Sequence, residues 1–312
     1  MGVCIGVDEA GLGPNLGPFV VVATVWDTPG PPADCDVWSA LAPVVTPDPQ
    51  GEGARLVLAD SKAVFKPKTG LALLERTVLA MLAWSQPPAR TLPELLARMG
   101  ADLPADVPWH QGPPLPLPRA HSADEISRAA EALRRQGALT GLRLQDVVAR
   151  VVHPVEFNRL LERHRNKADA VAAIHREVTR SAWQRAAAEP TLLVSDKLGG
   201  RTFYAAYLSE LTEGAWVTIV EEGPLRSAYR CAQTEFRFEP RAERYAPVAL
   251  ASMVAKYLRE VHMQQFNAFW SARLPYLRPT QGYPVDAARF FAQIESLLPE
   301  LALTRGDVWR QR

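Results

Sequence analysis

Asp8 and Glu9 stand side by side at the end of a short apolar run, residues 3–7, and directly before a glycine-rich loop, Gly11, Leu12 and Gly13. Asp196 has an equivalent place: the apolar run 191–195 leads into it and Gly199 and Gly200 follow. A strand end holds an acid rigidly yet leaves it accessible. Carboxylates gathered from two such ends repel one another unless a cation neutralises them. Hard oxygen donors suit Mg2+ or Mn2+, and two such ions can clamp the attacking and leaving oxygens of a phosphodiester. The same residues also have a plainer reading. An Asp at a strand end shapes turns and caps helices, and the loop after Glu9 could cradle a phosphate or punctuate a hairpin.

The elements that must position these acids follow from the apolar spacing. Runs at 3–7 and 19–26 predict two strands around the loop, 191–195 a buried strand, and 216–220 and 234–238 further strands. Helical spacing predicts helices over 69–84, 122–136 (opened by the capping pattern Ser122 to Glu125), 169–188, 247–274 and 286–298. Strands alternating with helices after an initial hairpin give an α/β fold with a mixed sheet.

Five segments, in order, resemble the motifs of type 2 ribonucleases H, the RNase HII family. VDEAGLGPNLGP from Val7 resembles D-E-A-G-R-G-P…G-P; Leu58 to Lys62 resembles L-x-D-S-K; Val194 to Arg201 resembles the strand ending in an acid and a glycine turn; Ala249 to Lys256 resembles A-A-S-I-x-A-K; and Gln281 to Pro284 resembles the end of H-x-G-Y-P. The resemblance implies an RNase H-like mixed sheet flanked by helices. It implies an endoribonuclease that uses Mg2+ or Mn2+ to cleave the RNA strand of RNA–DNA hybrids, or ribonucleotides in DNA, leaving 5′-phosphate and 3′-hydroxyl ends. It carries metal ligation and catalysis to Asp8, Glu9 and Asp196. The fourth carboxylate falls to Glu243, in Arg241-Ala242-Glu243 where the family has K-A-D, with Glu239 as the alternative. Substrate contacts fall to Gly11, Leu12 and Gly13 at a 2′-hydroxyl, to Ser61, Lys62 and Arg201 at phosphates, and to Tyr283 beside the sugar. Leu12 replaces the family's Arg, and Thr280 replaces its His. These departures and Glu243 motivate a second reading, a non-catalytic nucleic-acid-binding protein on the same fold. An actin-like ATPase, whose core also pairs acids with glycine loops, would need two copies of that core, and one is visible.

The chain has 312 residues, with 35 basic against 34 acidic side chains. A net charge of +1 excludes a strongly basic nucleic-acid binder, so any contact with a hybrid must come from a local face. Prolines number 27, and nine of them fall between Pro87 and Pro118. Proline fixes φ and removes a donor, so this stretch forms neither a long helix nor a central strand. We read 85–150 as an insertion into a catalytic core formed by 1–84 and 151–312. Three cysteines without metal spacing fit a reducing, cytoplasmic setting. The chain lacks a signal-like start and an apolar run long enough for a membrane span, and we expect a monomer. The six histidines show no ligand spacing and are read as structural or solvated, without zinc.

Overall fold

A computed structural model describes residues 1–50, 54–65, 70–104, 107–186 and 189–311. Its strands are β1 (Gly2–Ala10), β2 (Phe19–Thr28), β3 (Val45–Thr46), β4 (Leu56–Val57), β5 (Arg143–Val152), β6 (Thr191–Ser195), β7 (Thr218–Glu222), β8 (Ser227–Cys231) and β9 (Thr234–Phe238). In the first half lie helices α1 (Val37–Leu41), α2 (Ser61–Val64), α3 (Ala72–Ser85), α4 (Leu92–Arg98) and α5 (Ala123–Thr140). The second half carries α6 (Pro154–Arg163), α7 (Lys167–Ala186), α8 (Ala205–Leu211), α9 (Ala246–Ser271), α10 (Pro284–Ile294) and α11 (Arg305–Val308).

Seven strands form one sheet in the order β5-β2-β1-β6-β9-β8-β7. β1 pairs antiparallel with β2, while β1, β6 and β9 run parallel to one another. The expected mixed sheet flanked by helices is therefore present. Side chains alternate across a strand, and β1 shows the result. Cys4 joins the apolar core beneath α9, α3 and α5, whereas Val3, Ile5 and Val7 join the core beneath α7 and α8. On the α9 side Gly6 is required by contact. A Cβ there would sit 2.2 Å from the carbonyl carbon of Pro247, in the first turn of α9. The missing side chain lets the long helix lie against the strand that carries Asp8 and Glu9.

Helix limits agree with the apolar spacing to within a few residues. Thr69, the expected start of α3, and Ala188, the expected end of α7, lie outside the described residues. The capping box opening α5 is formed: Ser122 and Glu125 bond each other's backbone, and Gly141 (φ 72°) ends the helix in the left-handed region. The 85–150 insertion needs a correction at its far end. Residues 143–152 are β5, paired with β2 in the central sheet, so the segment outside the sheet stops at 142. β5 escaped the sequence because Arg143, Gln145, Asp146 and Arg150 break its apolar pattern. It is an edge strand, where charges are tolerated, and Arg150 pairs there with Glu156 and Glu177. Nor is 85–142 a separate body: Leu92, Leu95, Leu96, Met99, Leu117, Ile126 and Leu133 share one apolar cluster with α3 and α9.

Candidate active site

The register of the three parallel strands aligns their C-terminal ends. Val7 lies opposite Ser195, and Ser195 opposite Phe238, so Asp8, Asp196 and Glu239 follow at one edge of the sheet. Asp8 is buried at 7% exposure and, by alternation, faces the α9 side. Ser252 of α9 hydrogen-bonds its carboxylate and also lies 3.0 Å from Ser61 Oγ at the start of α2. Asp196 Oδ1 accepts from the backbone N–H groups of Lys197 (2.8 Å) and Arg241 (3.1 Å). Arg241 is left-handed (φ 57°), and this reversal starts the single helical turn Ala242–Arg244 that carries Glu243.

These carboxylates feel one another. Burial raises the Asp8 carboxyl well above the usual range, with further upward pressure from Glu9 and Glu243 and an opposing bond from Ser252. Burial, Asp196 and Glu243 push Glu9 up to about 7, partly offset by Lys62. Glu243 is also raised, by burial and then by Asp60 and Asp196. Lys62 shows the converse. Partial burial opposes its charge, but Asp60, Glu243, Asp8 and Asp196 hold its pKa above the ordinary value. Glu239, the alternative fourth acid, is engaged elsewhere: it pairs with Arg244, lies 3.8 Å from Arg226 and has the Tyr245 hydroxyl at 3.3 Å. Glu243, not Glu239, shares the field of Asp8 and Glu9.

The glycine loop lies beside this edge. Gly11 is left-handed (φ 88°), and a Cβ there would meet the Pro18 carbonyl at 2.6 Å and Arg259 Cδ at 2.7 Å. Arg310 donates to the carbonyls of Gly11, Leu12 and Pro14, which turns these peptide oxygens inward. Leu12 packs on the apolar core beneath α7, and Lys167 Nζ reaches its carbonyl at 3.3 Å, so a cation borders the loop although the family's Arg is absent. The Gln281–Pro284 segment is knitted to the same loop. The Gly282 carbonyl accepts from the N–H groups of Asn15 and Leu16, and Arg259 donates to the Gln281 carbonyl. Tyr283 is half exposed above Arg259, 6.0 Å from its guanidinium. Thr280 bonds Asp286 and the Gly282 N–H, so it shapes this turn.

The remaining expected contacts separate. Lys62 is exposed beside the acids. Ser61 is buried, with its hydroxyl toward Ser252. Arg201 lies 3.8 Å from Asp169, so it reaches a phosphate only in competition with that acid. Ser252, inside a motif singled out from the sequence, was missed as a positioning group because its partner Asp8 is 244 positions away. Three of the histidines also converge. His110, His153 and His262, far apart in sequence and without motif spacing, bring one ligand atom each to within 4.8 Å of one another. Among the described residues this trio, and not the carboxylates, gathers its donor atoms that closely.

No family model and no curated protein matches the chain. Among solved structures it is similar to ribonuclease H2 from Pyrococcus horikoshii OT3, at 16% identity over 98% of this chain and 92% of that one, with a TM-score of 0.43. It is similar to RNase HII of Archaeoglobus fulgidus, solved with PCNA, at 14% identity over 99% and 94% of the two chains (TM-score 0.43). A Q54A mutant of Bst-RNase HIII is 17% identical over 93% of this chain and 61% of its own (TM-score 0.47). With identities this low and TM-scores below 0.5, these likenesses carry no argument about this chain. The functional reading rests on the carboxylates and the loop beside them.

Proposed function

We propose that the protein is a metal-dependent endoribonuclease that cleaves the RNA strand of RNA–DNA hybrids, or ribonucleotides embedded in DNA. The observation that carries this reading is the convergence of Asp8, Glu9, Asp196 and Glu243, in which Glu9 and Glu243 raise the Asp8 carboxyl and Asp196 raises Glu9 and Glu243, beside the Gly11 to Gly13 loop. Carboxylates held against their own repulsion form a donor set that fits a hard divalent cation, Mg2+ or Mn2+. Bound there, such ions supply an acidified water and charge neutralisation at a phosphodiester.

The chain's own residues do the rest. Asp8, Glu9, Asp196 and Glu243 hold the cations, and Ser252 fixes the Asp8 carboxylate. With its carbonyls drawn inward by Arg310, the Gly11 to Gly13 loop offers backbone N–H groups to a 2′-hydroxyl, the group that distinguishes RNA from DNA. Lys62 places a point charge near the scissile phosphate, and Tyr283 offers a ring face beside the sugar. The expected products carry 5′-phosphate and 3′-hydroxyl ends.

The experiment is incubation of purified protein and Mn2+ or Mg2+ with three labelled duplexes: an RNA–DNA hybrid, DNA with one ribonucleotide, and all-DNA. Cleavage of either of the first two and not the third is expected, with the ends mapped on the products. Binding of the hybrid without turnover under any divalent metal would instead establish the non-catalytic reading, which the Leu12 and Thr280 departures motivate.

A further inference from the structure

Outside the set of strand-end acids, three histidines converge from three different parts of the chain. His110 ends the single helical turn Pro108–His110 in the 85–142 segment; His153 caps α6 directly after β5; His262 lies on α9. Ring centroids are 4.9 Å apart for His110 and His153, 5.3 Å for His110 and His262, and 5.4 Å for His153 and His262. The rings are tilted or edge-on, so they meet through their rims and not as a stack. One nitrogen from each lies within 4.8 Å of the other two.

Hydrogen bonding assigns the protons. His262 Nδ1 lies 2.7 Å from the Leu258 carbonyl, which can only accept, so Nδ1 carries the hydrogen and Nε2 keeps its lone pair. His110 Nδ1 is likewise 3.2 Å from Gln265 Oε1. Nε2 of both rings, and both ring nitrogens of His153, are buried without a protein hydrogen-bond partner. A buried polar atom left unpaired loses its hydration without compensation, so several together in one place call for a ligand. Neutral imidazole with its second nitrogen anchored to a carbonyl oxygen is the form that ligates transition metals. Trp109, beside His110 and 5.1 Å from Phe266 between ring centroids, gives the group an apolar wall.

We propose that His110, His153 and His262 bind a borderline transition-metal ion, Zn2+ above all, that fastens the proline-rich segment to the catalytic core. Three imidazoles suit Zn2+ and not Mg2+, which takes oxygen ligands, so this site is distinct in chemistry from the carboxylates. Zinc–nitrogen bonds of about 2.0–2.1 Å require tetrahedral donors about 3.3 Å apart. The ring nitrogens, within 4.8 Å of one another, would have to draw in to that spacing on binding. His110 is the least buried of the three.

The test uses the full chain stripped of metal by a chelator and titrated with Co2+, then Zn2+. One equivalent of Co2+ should give the intense visible bands of a tetrahedral nitrogen site, and Zn2+ should displace it. His153→Ala and His110→Gln should abolish the bands and weaken Zn2+ binding by at least about 100-fold, more than loss of an outer-shell partner costs. Asp8→Asn should keep both. His110 lies on the rim, so His110→Gln decides the matter if His153→Ala fails to fold, as read by far-ultraviolet circular dichroism. Zn2+ should also slow proteolysis within 85–142 in the wild type and not in His110→Gln. No tetrahedral bands in the wild type, or bands equal in the histidine variants, would overturn the proposal. Bands lost in Asp8→Asn and kept in His110→Gln would assign the ion to the carboxylates and overturn it too.

Discussion

At the scale of residues, the site is a set of acids placed against their own electrostatics. Glu9, at about 7, and Asp8, also raised, have folded-state pKa values above their unfolded ones. Between the two values the folded state binds more protons, so stability is greatest below the unfolded pKa and is lost as pH rises through the folded one. In the presence of a chelator, the melting temperature should therefore fall between about pH 4.5 and 7, the window Glu9 sets. Asp8→Asn should flatten that fall, and Mg2+ or Mn2+ should reverse it for the wild type alone. Melts across pH with and without metal check this, and a flat wild-type profile would contradict it. Ser252→Ala removes the group that bonds Asp8. Loss of a bond that orients a metal ligand costs about 10–100-fold, and kcat should fall by that range while the fold persists. Asp8, Glu9 and Asp196 were legible in the sequence because each ends an apolar run before glycine. Ser252 and the histidine trio were not, because their meanings depend on partners that only the packing of α9 supplies.

At the scale of elements, the site depends on how closely α9 lies to β1. Gly6 is the contact that permits it, and Gly6→Ala would place a methyl 2.2 Å from the Pro247 backbone. Overpacking against backbone costs about 1–3 kcal/mol or more, so Gly6→Ala should lower stability by at least that amount in denaturant titration and displace Ser252 from Asp8. The long helices and five of the sheet's strands were visible as apolar periodicity, down to the limits of β6 and β9 and the capping box of α5. β5 was hidden because an edge strand, paired with β2 on one side only, mixes charge into its pattern.

At the scale of the whole molecule, near-neutral charge limits how nucleic acid can be held. With a net of +1, a general field would neutralise few phosphates, and under the proposed function contact would fall to Lys62, Arg201 and the loop beside the acids. Each phosphate neutralised contributes about −0.9 to the slope of log K against log salt for a DNA duplex. Hybrid affinity measured across salt should thus show a shallow slope, and Lys62→Ala should reduce it by about one. Tight, salt-insensitive binding without metal would contradict a local contact face. The proline excess, legible as an interruption, turns out to mark a segment packed into the main core.

The central claim is that the strand-end acids, loaded with a divalent cation, cut RNA paired to DNA. Its most direct test is the single-turnover rate of hybrid cleavage in Mn2+ by wild type and by Asp8→Asn at equal protein. The account predicts a measurable wild-type rate and a loss in Asp8→Asn beyond the roughly 100-fold cost of removing an outer-shell partner. Equal rates in the two proteins would contradict it.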